Sequence, residues 1–180
     1  MLMYGHSQLF DGDWELPGAL VVNCAQQGML AFSGLARVVR LPDVDPDVIF
    51  LAFGANEALH AAGDRHAFDG AAFEARMLEL IAIVRERWPE AEVIVSGVVP
   101  MRPQLMAPAW RSADLGPIRD RLESVVSKAG VRLLDPSEAL EVDEGGLLES
   151  LTHDGLHLNA EGYRRWAALL RERSEVLSQL

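Results

Sequence analysis

Val48-Ile49-Phe50-Leu51-Ala52-Phe53 is an unbroken apolar run, closed by Gly54-Ala55-Asn56-Glu57. A strand with one wet face alternates apolar and polar residues. A run without alternation suits a strand buried on both faces, as in the middle of a parallel sheet. The run therefore predicts an α/β fold with helices on both sides of the sheet. Working outward, residues 2–5, 19–23, 92–98 and 131–134 are further short runs rich in apolar and β-branched side chains. Longer amphipathic stretches separate them, at 30–39, 71–88, 115–129 and 160–177. The clearest carries Phe73, Met77, Leu80, Ile81 and Val84 at helical spacing, with Asp69 placed to cap it. Asn159 is placed to cap the last helix. Strands alternating with helices predict a three-layer α/β/α sandwich. Five parallel strands in the flavodoxin-like order 2-1-3-4-5 are expected, forming a single domain over residues 1–180.

The charge balance narrows the partners. Sixteen basic against 27 acidic residues give a formal net charge of −11, with no cluster of Lys and Arg. Nucleic acid and anionic membrane surfaces both require a basic patch, so neither is expected as a partner. Cys24 is the one cysteine, so no intrachain disulfide can form and nothing points to an oxidising compartment. The start, Met1-Leu2-Met3-Tyr4-Gly5, has neither the basic nor the apolar region of a signal peptide, and the cytoplasm is the expected location.

Four short words carry candidate chemistry: Tyr4-Gly5-His6-Ser7, Asn23-Cys24-Ala25-Gln26-Gln27-Gly28, Gly54-Ala55-Asn56-Glu57 and Asp154-Gly155-Leu156-His157. Three follow a predicted strand and the fourth precedes the last helix. In a parallel sheet these positions converge on one edge, where ligands bind. A serine that attacks a carbonyl needs a histidine base, and the base needs a carboxylate to fix its tautomer. Ser7, His157 and Asp154 fit those catalytic roles. Developing oxyanion charge needs donors already aimed at it, which the Ser7 and Gly28 amides and the Asn56 side chain can supply. Each residue also has a plainer reading: Ser7 as a turn or helix cap, Gly28 as a hinge, Asn56 as a loop staple, Asp154 as a turn former before Gly155. The complete set in this order favours the catalytic reading.

These words resemble those of the SGNH hydrolases, also called the GDSL esterase/lipase superfamily, from Ser7 to about Tyr163. The most specific block is Asp154-Gly155-Leu156-His157, running on as Leu158-Asn159-Ala160-Glu161-Gly162-Tyr163. The resemblance implies a serine esterase with an acyl-enzyme and no cofactor. It depends on a Ser7–His157–Asp154 triad and an oxyanion hole of Ser7, Gly28 and Asn56. Three residues depart from the family pattern: His6 stands where aspartate is usual, Glu57 replaces a second aspartate, and Ala25 takes the place of a common glycine. Few residues precede Ser7, which reads as a frayed or trimmed first strand. His6 adds a titratable imidazole beside the nucleophile. If it faces the cleft, its protonation is expected to disfavour protonation of His157 and so to modulate the pH profile.

His153, Asp154 and His157 also suit a metal, but His60 and His66 lie elsewhere and no second cluster completes the ligands, so no metal is expected. Cys24 reads as a small buried hydrophobe. The stretch from Met101 to Trp110 follows the fourth strand. Met101, Met106 and Trp110 are read either as a substrate-binding wall or as part of an ordinary loop packed on the core. The expected substrate is a small-molecule ester, such as an acetylated sugar or a short-chain acyl ester. An acyltransferase on the same machinery and a non-catalytic binding domain are the alternatives.

Overall fold

The computed structural model describes residues 1–63, 67–140, 142–144 and 146–180. The apolar run forms β3 (Val48–Ala52), whose five residues are all buried. Its neighbours are β1 (Leu2–Gly5) and β4 (Glu92–Ser96), with β2 (Val22–Asn23) and β5 (Arg132–Leu134) at the edges. The order is β2-β1-β3-β4-β5 and every pairing is parallel. The first strand, though short, is fully buried and paired on both sides, in register from Leu2 to Gly5 against Ile49 to Ala52.

Alternation along the strands sends side chains to two cores. Leu2, Tyr4, Ile49, Leu51, Val93 and Val95 pack beneath α2 (Ala31–Arg37), α4 (Gly70–Arg87) and α5 (Gly116–Ala129). Met3, Val48, Phe50, Ala52 and Ile94 face the opposite side, against α6 (Ala160–Arg173). Trp14 closes that second core, with its ring centroid 5.0 Å from Trp166, 5.9 Å from Tyr163 and 6.1 Å from Phe50. Edge-to-face aromatic groups of this kind add to the area they bury. The three-layer α/β/α sandwich follows from this division.

The expected caps form: Asp69 accepts from the Ala72 amide at 3.0 Å and Asn159 from the Gly162 amide at 3.1 Å. The edge strand β2 is shorter than the expected 19–23. Leu20 is 83% exposed there, and only Val22 and Asn23 reach the ladder. Two helices were not foreseen, α1 (Ser7–Phe10) and α3 (Ala55–Ala62), nor was the hairpin of β6 (Val142–Asp143) and β7 (Gly146–Leu147). Among the described residues no helix is long and apolar enough to cross a membrane.

Candidate active site

Strand ends bring the four words together. Ser7 opens α1 directly after β1, so its amide has no acceptor within the helix. His157 arrives from a loop 150 residues later and places Nε2 3.1 Å from the Ser7 Oγ. Its Nδ1 lies 2.8 Å from Asp154 Oδ2. The other Asp154 oxygen accepts from the amides of Leu156 at 2.9 Å and His157 at 2.7 Å. Burial works to raise the Asp154 pKa, but the amide and ring N–H of His157 and the Leu156 amide outweigh it and hold the carboxyl below its ordinary value. An ionised carboxylate only accepts, so Nδ1 carries the imidazole proton and Nε2 is left to accept from the serine hydroxyl.

The loop is fixed from three sides. The Thr152 hydroxyl donates to the His157 carbonyl at 2.7 Å and accepts from the Gly155 amide at 2.9 Å. The Arg102 amide donates to the Gly155 carbonyl at 2.8 Å. Gly155 has φ +81°, and a Cβ there would stand 2.3 Å from the Arg102 carbonyl oxygen, so only glycine fits. Buried Gln8, next to the nucleophile, donates from Nε2 to the Leu156 carbonyl at 2.8 Å. One hydrogen bond thus ties the Ser7 turn to the His157 loop.

Asn56 lies in the first turn of α3, where its Nδ2 donates to the Met29 carbonyl at 3.0 Å. An amide nitrogen has two protons, so this bond fixes the side chain and leaves a second donor. Gly28, at φ +68°, faces open space, which makes backbone conformation the reason for glycine there. Glu57, three residues into the same helix word, accepts from the Ala31 amide at 2.6 Å and the Gly54 amide at 3.1 Å. It therefore joins the starts of α2 and α3 around Gly28 and Asn56. Burial pushes its pKa up against the pull of these amides.

A cavity of about 550 Å³ opens above the serine, lined by Ser7, Gln27, Gly28, Asn56, His157 and an apolar wall that includes Leu59, Ala109, Trp110 and Leu156. Trp110 is 40% exposed and forms part of that wall. Met101 and Met106 do not line it. Both are buried with Ala55, Leu59 and Leu156 in a small cluster behind the wall, because the loop turns its methionines toward apolar partners and its tryptophan outward. Leu59 and His60 lie three and four residues after Asn56 on α3, so helical spacing from that asparagine points to both. Asp11 was also unforeseen. It stands one turn after Ser7, with Oδ2 3.7 Å from His157 Nε2.

His6 departs from expectation. Its side chain is buried, and Nδ1 accepts from the Gln8 amide at 3.3 Å. Desolvation, with a smaller contribution from His157, lowers its pKa to about 3. It therefore stays neutral over the range where a histidine base works, and its protonation does not shape the acid limb. The consequence appears in stability. The unfolded imidazole takes up a proton below its ordinary 6.5 while the folded one waits until about 3. Stability is thus full above 6.5 and is lost as pH falls toward 3, on the order of 3 kcal/mol of it by pH 4. Chemical denaturation of wild type and His6→Gln at pH 7 and 4 tests this. A wild-type loss no larger than that of the variant would contradict it.

Among the described residues no group of three or more His, Cys, Asp and Glu side chains is arranged to hold a metal, and His66 lies outside the described residues. Cys24 is half-buried, and burial raises its thiol pKa.

Comparison with known proteins agrees with this fold. The solved structure of a GDSL-like lipase from Bacteroides thetaiotaomicron superposes with a TM-score of 0.76 at 15% identity, covering 99% of this chain and 87% of that one. An acetyl xylan esterase gives 0.75 at 16% identity, over 95% of this chain and 98% of its own. A lipolytic G-D-S-L protein from Veillonella parvula gives 0.67 at 15%, over 96% of each chain. At these identities the fold is what is shared. No curated protein sequence matches. The model of the GDSL-like Lipase/Acylhydrolase family matches residues 11–165, a span that holds Gly28, Asn56, Asp154 and His157 and begins just after Ser7. With most of its length inside that match, the chain belongs to the GDSL-like lipase/acylhydrolase family and is a carboxylic ester hydrolase.

Proposed function

We propose that the chain is a serine esterase in which Ser7, His157 and Asp154 form the catalytic triad. The observation that supports this most is the continuous line of bonds, 3.1 Å from Ser7 Oγ to Nε2 and 2.8 Å from Nδ1 to Asp154. In this reading the Ser7 oxygen attacks the ester carbonyl while His157 Nε2 takes its proton. Asp154 stabilises the imidazolium, and Nε2 then returns the proton to the departing alcohol. Water, activated by the same imidazole, hydrolyses the acyl-enzyme. The Ser7 and Gly28 amides and the free Asn56 proton hold the oxyanion. The cavity above Ser7 has room for a small ester, with Trp110 and Leu59 against its apolar part. Esters of short acyl chains, including acetylated sugars, fit that size. The single cysteine suits a reducing compartment such as the cytoplasm.

Asn56→Ala tests the oxyanion role. It is expected to lower kcat by about 10²–10³-fold with KM little changed, since the bond forms only as charge develops. Hydrolysis of p-nitrophenyl acetate by folded variant and wild type reads this. A variant with wild-type kcat would remove Asn56 from the oxyanion hole. Labelling of Ser7 by a fluorophosphonate, located by peptide mass, tests the nucleophile independently.

A further inference from the structure

Asp11 is a second carboxylate at the same imidazole, and the mechanism above does not use it. Its Oδ2 lies 3.7 Å from His157 Nε2, the atom that hands a proton to the departing alcohol. Its Oδ1 is held by Gln27 Nε2 at 3.4 Å, and Gln27 itself lines the cavity. At 3.7 Å Asp11 is too far to hydrogen-bond Nε2 as Asp154 bonds Nδ1. It acts instead as a fixed charge. The described lining of the cavity includes no Lys or Arg, and its titratable side chains are His60 and His157. Of the other charged groups around it, Asp154 is a further anion behind Nδ1, Arg37 donates to the Gln26 carboxamide, and His6 is buried. Among the described residues, the leaving-group side of the serine therefore faces a carboxylate with no Lys or Arg in the cavity lining.

We propose that Asp11 selects the alcohol half of the ester by charge, admitting neutral and cationic alcohols and excluding those that carry a phosphate, carboxylate or sulfonate. This rests on the esterase reading, because the alcohol is placed by the atom that protonates it. A charge two or three bonds from the ester oxygen sits roughly 5 Å from Asp11. At that distance, in the partly wet dielectric of a cleft mouth, attraction or repulsion amounts to about tenfold in kcat/KM. Exposed charge of this kind is screened by salt, so the preference should fade at high ionic strength.

The experiment uses the full chain and three matched acetyl esters: of choline, of its uncharged isostere 3,3-dimethylbutanol, and of an alcohol of similar size ending in a sulfonate. The corresponding thiols, as S-alkyl methylphosphonothioates, form a second series read by the rate of Ser7 inactivation. In that reaction the Oγ–P bond forms, the P–S bond breaks, and the thiol leaves with the proton from His157. Wild type is expected to favour cationic over neutral over anionic, by about tenfold per step at low salt and less at about 0.5 M salt. In Asp11→Asn, which keeps the shape of the side chain, both steps should shrink to about twofold. Because each preference is a ratio within one enzyme, any general effect on the triad cancels. A wild type without this order, or an Asp11→Asn variant that retains it, overturns the charge selection and leaves the esterase standing. Failure of every ester and every phosphonate to react at Ser7 overturns both.

Discussion

Ser7→Ala will abolish turnover of any ester the protein accepts, by about 10⁶-fold in kcat, because nucleophile and base act as a unit. The remaining rate, about 10³–10⁴ above water, would come from oxyanion donors and binding. Stability should hardly change. The hydroxyl bonds His157 Nε2 at 3.1 Å and sits on a half-buried side chain at the cavity floor. Thermal melts of variant and wild type should coincide within a few degrees. Fluorophosphonate labelling should vanish with activity. If Ser7→Ala retains wild-type turnover, or labels at the same rate, the triad assignment is wrong. His157→Ala should cost about as much alone, and the double variant little more than either single one.

Asp154→Asn is expected to lower kcat by about 10⁴-fold, and the local bonds explain why. One Asp154 oxygen accepts from two backbone amides, of Leu156 and His157. Asparagine can satisfy them only by turning its carbonyl that way, which points its NH₂ at His157 Nδ1. The imidazole must then accept at Nδ1 and carry its proton on Nε2, facing the Ser7 oxygen with a donor where an acceptor is needed. The variant should keep its loop and lose its base. Its hydrolysis should recover partly at high pH, where the serine needs less assistance. Near-wild-type kcat/KM would mean that another group orients His157.

The strands were legible as short runs rich in apolar and β-branched residues, with residues 48–53 apolar throughout because β3 is buried on both faces. Their order was expected from the flavodoxin-like pattern of alternating strands and helices. Edges were less legible. Residues 19–21 are apolar enough to pass for strand, yet Leu20 points into solvent and only Val22 and Asn23 pair. Of the missed helices, α1 has four residues, too few to show a period, and α3 is a short, alanine-rich stretch that follows directly on the positive-φ Gly54. The four site words could be found because each chemistry restricts the residue types allowed. Their neighbours could not. Nothing in Met101-Arg102-Pro103-Gln104-Leu105-Met106 tells which side chains turn inward, and adjacency to Ser7 does not reveal that His6 is 2% exposed. Asp11 was hidden for the same reason, since its importance depends on where His157 arrives.

The pairing of Ser7 with a base 150 residues away also has a temporal meaning. The nucleophile precedes its base by 150 residues, and the two meet only after β3 and β4 have been laid between them. Closing so long a loop carries a large entropy cost that local helices do not share, so it belongs to the late part of folding. In the esterase reading, partly folded chains, even with most of the sheet in place, hold a serine with no acceptor for its proton and are not acylated by the esters they meet. Refolding followed by phosphonate capture at Ser7 would therefore register the meeting of residues 7 and 157, while helix signals by circular dichroism would rise earlier. In the esterase reading, reactivity in this fold is a property of the finished topology rather than of any one segment of it.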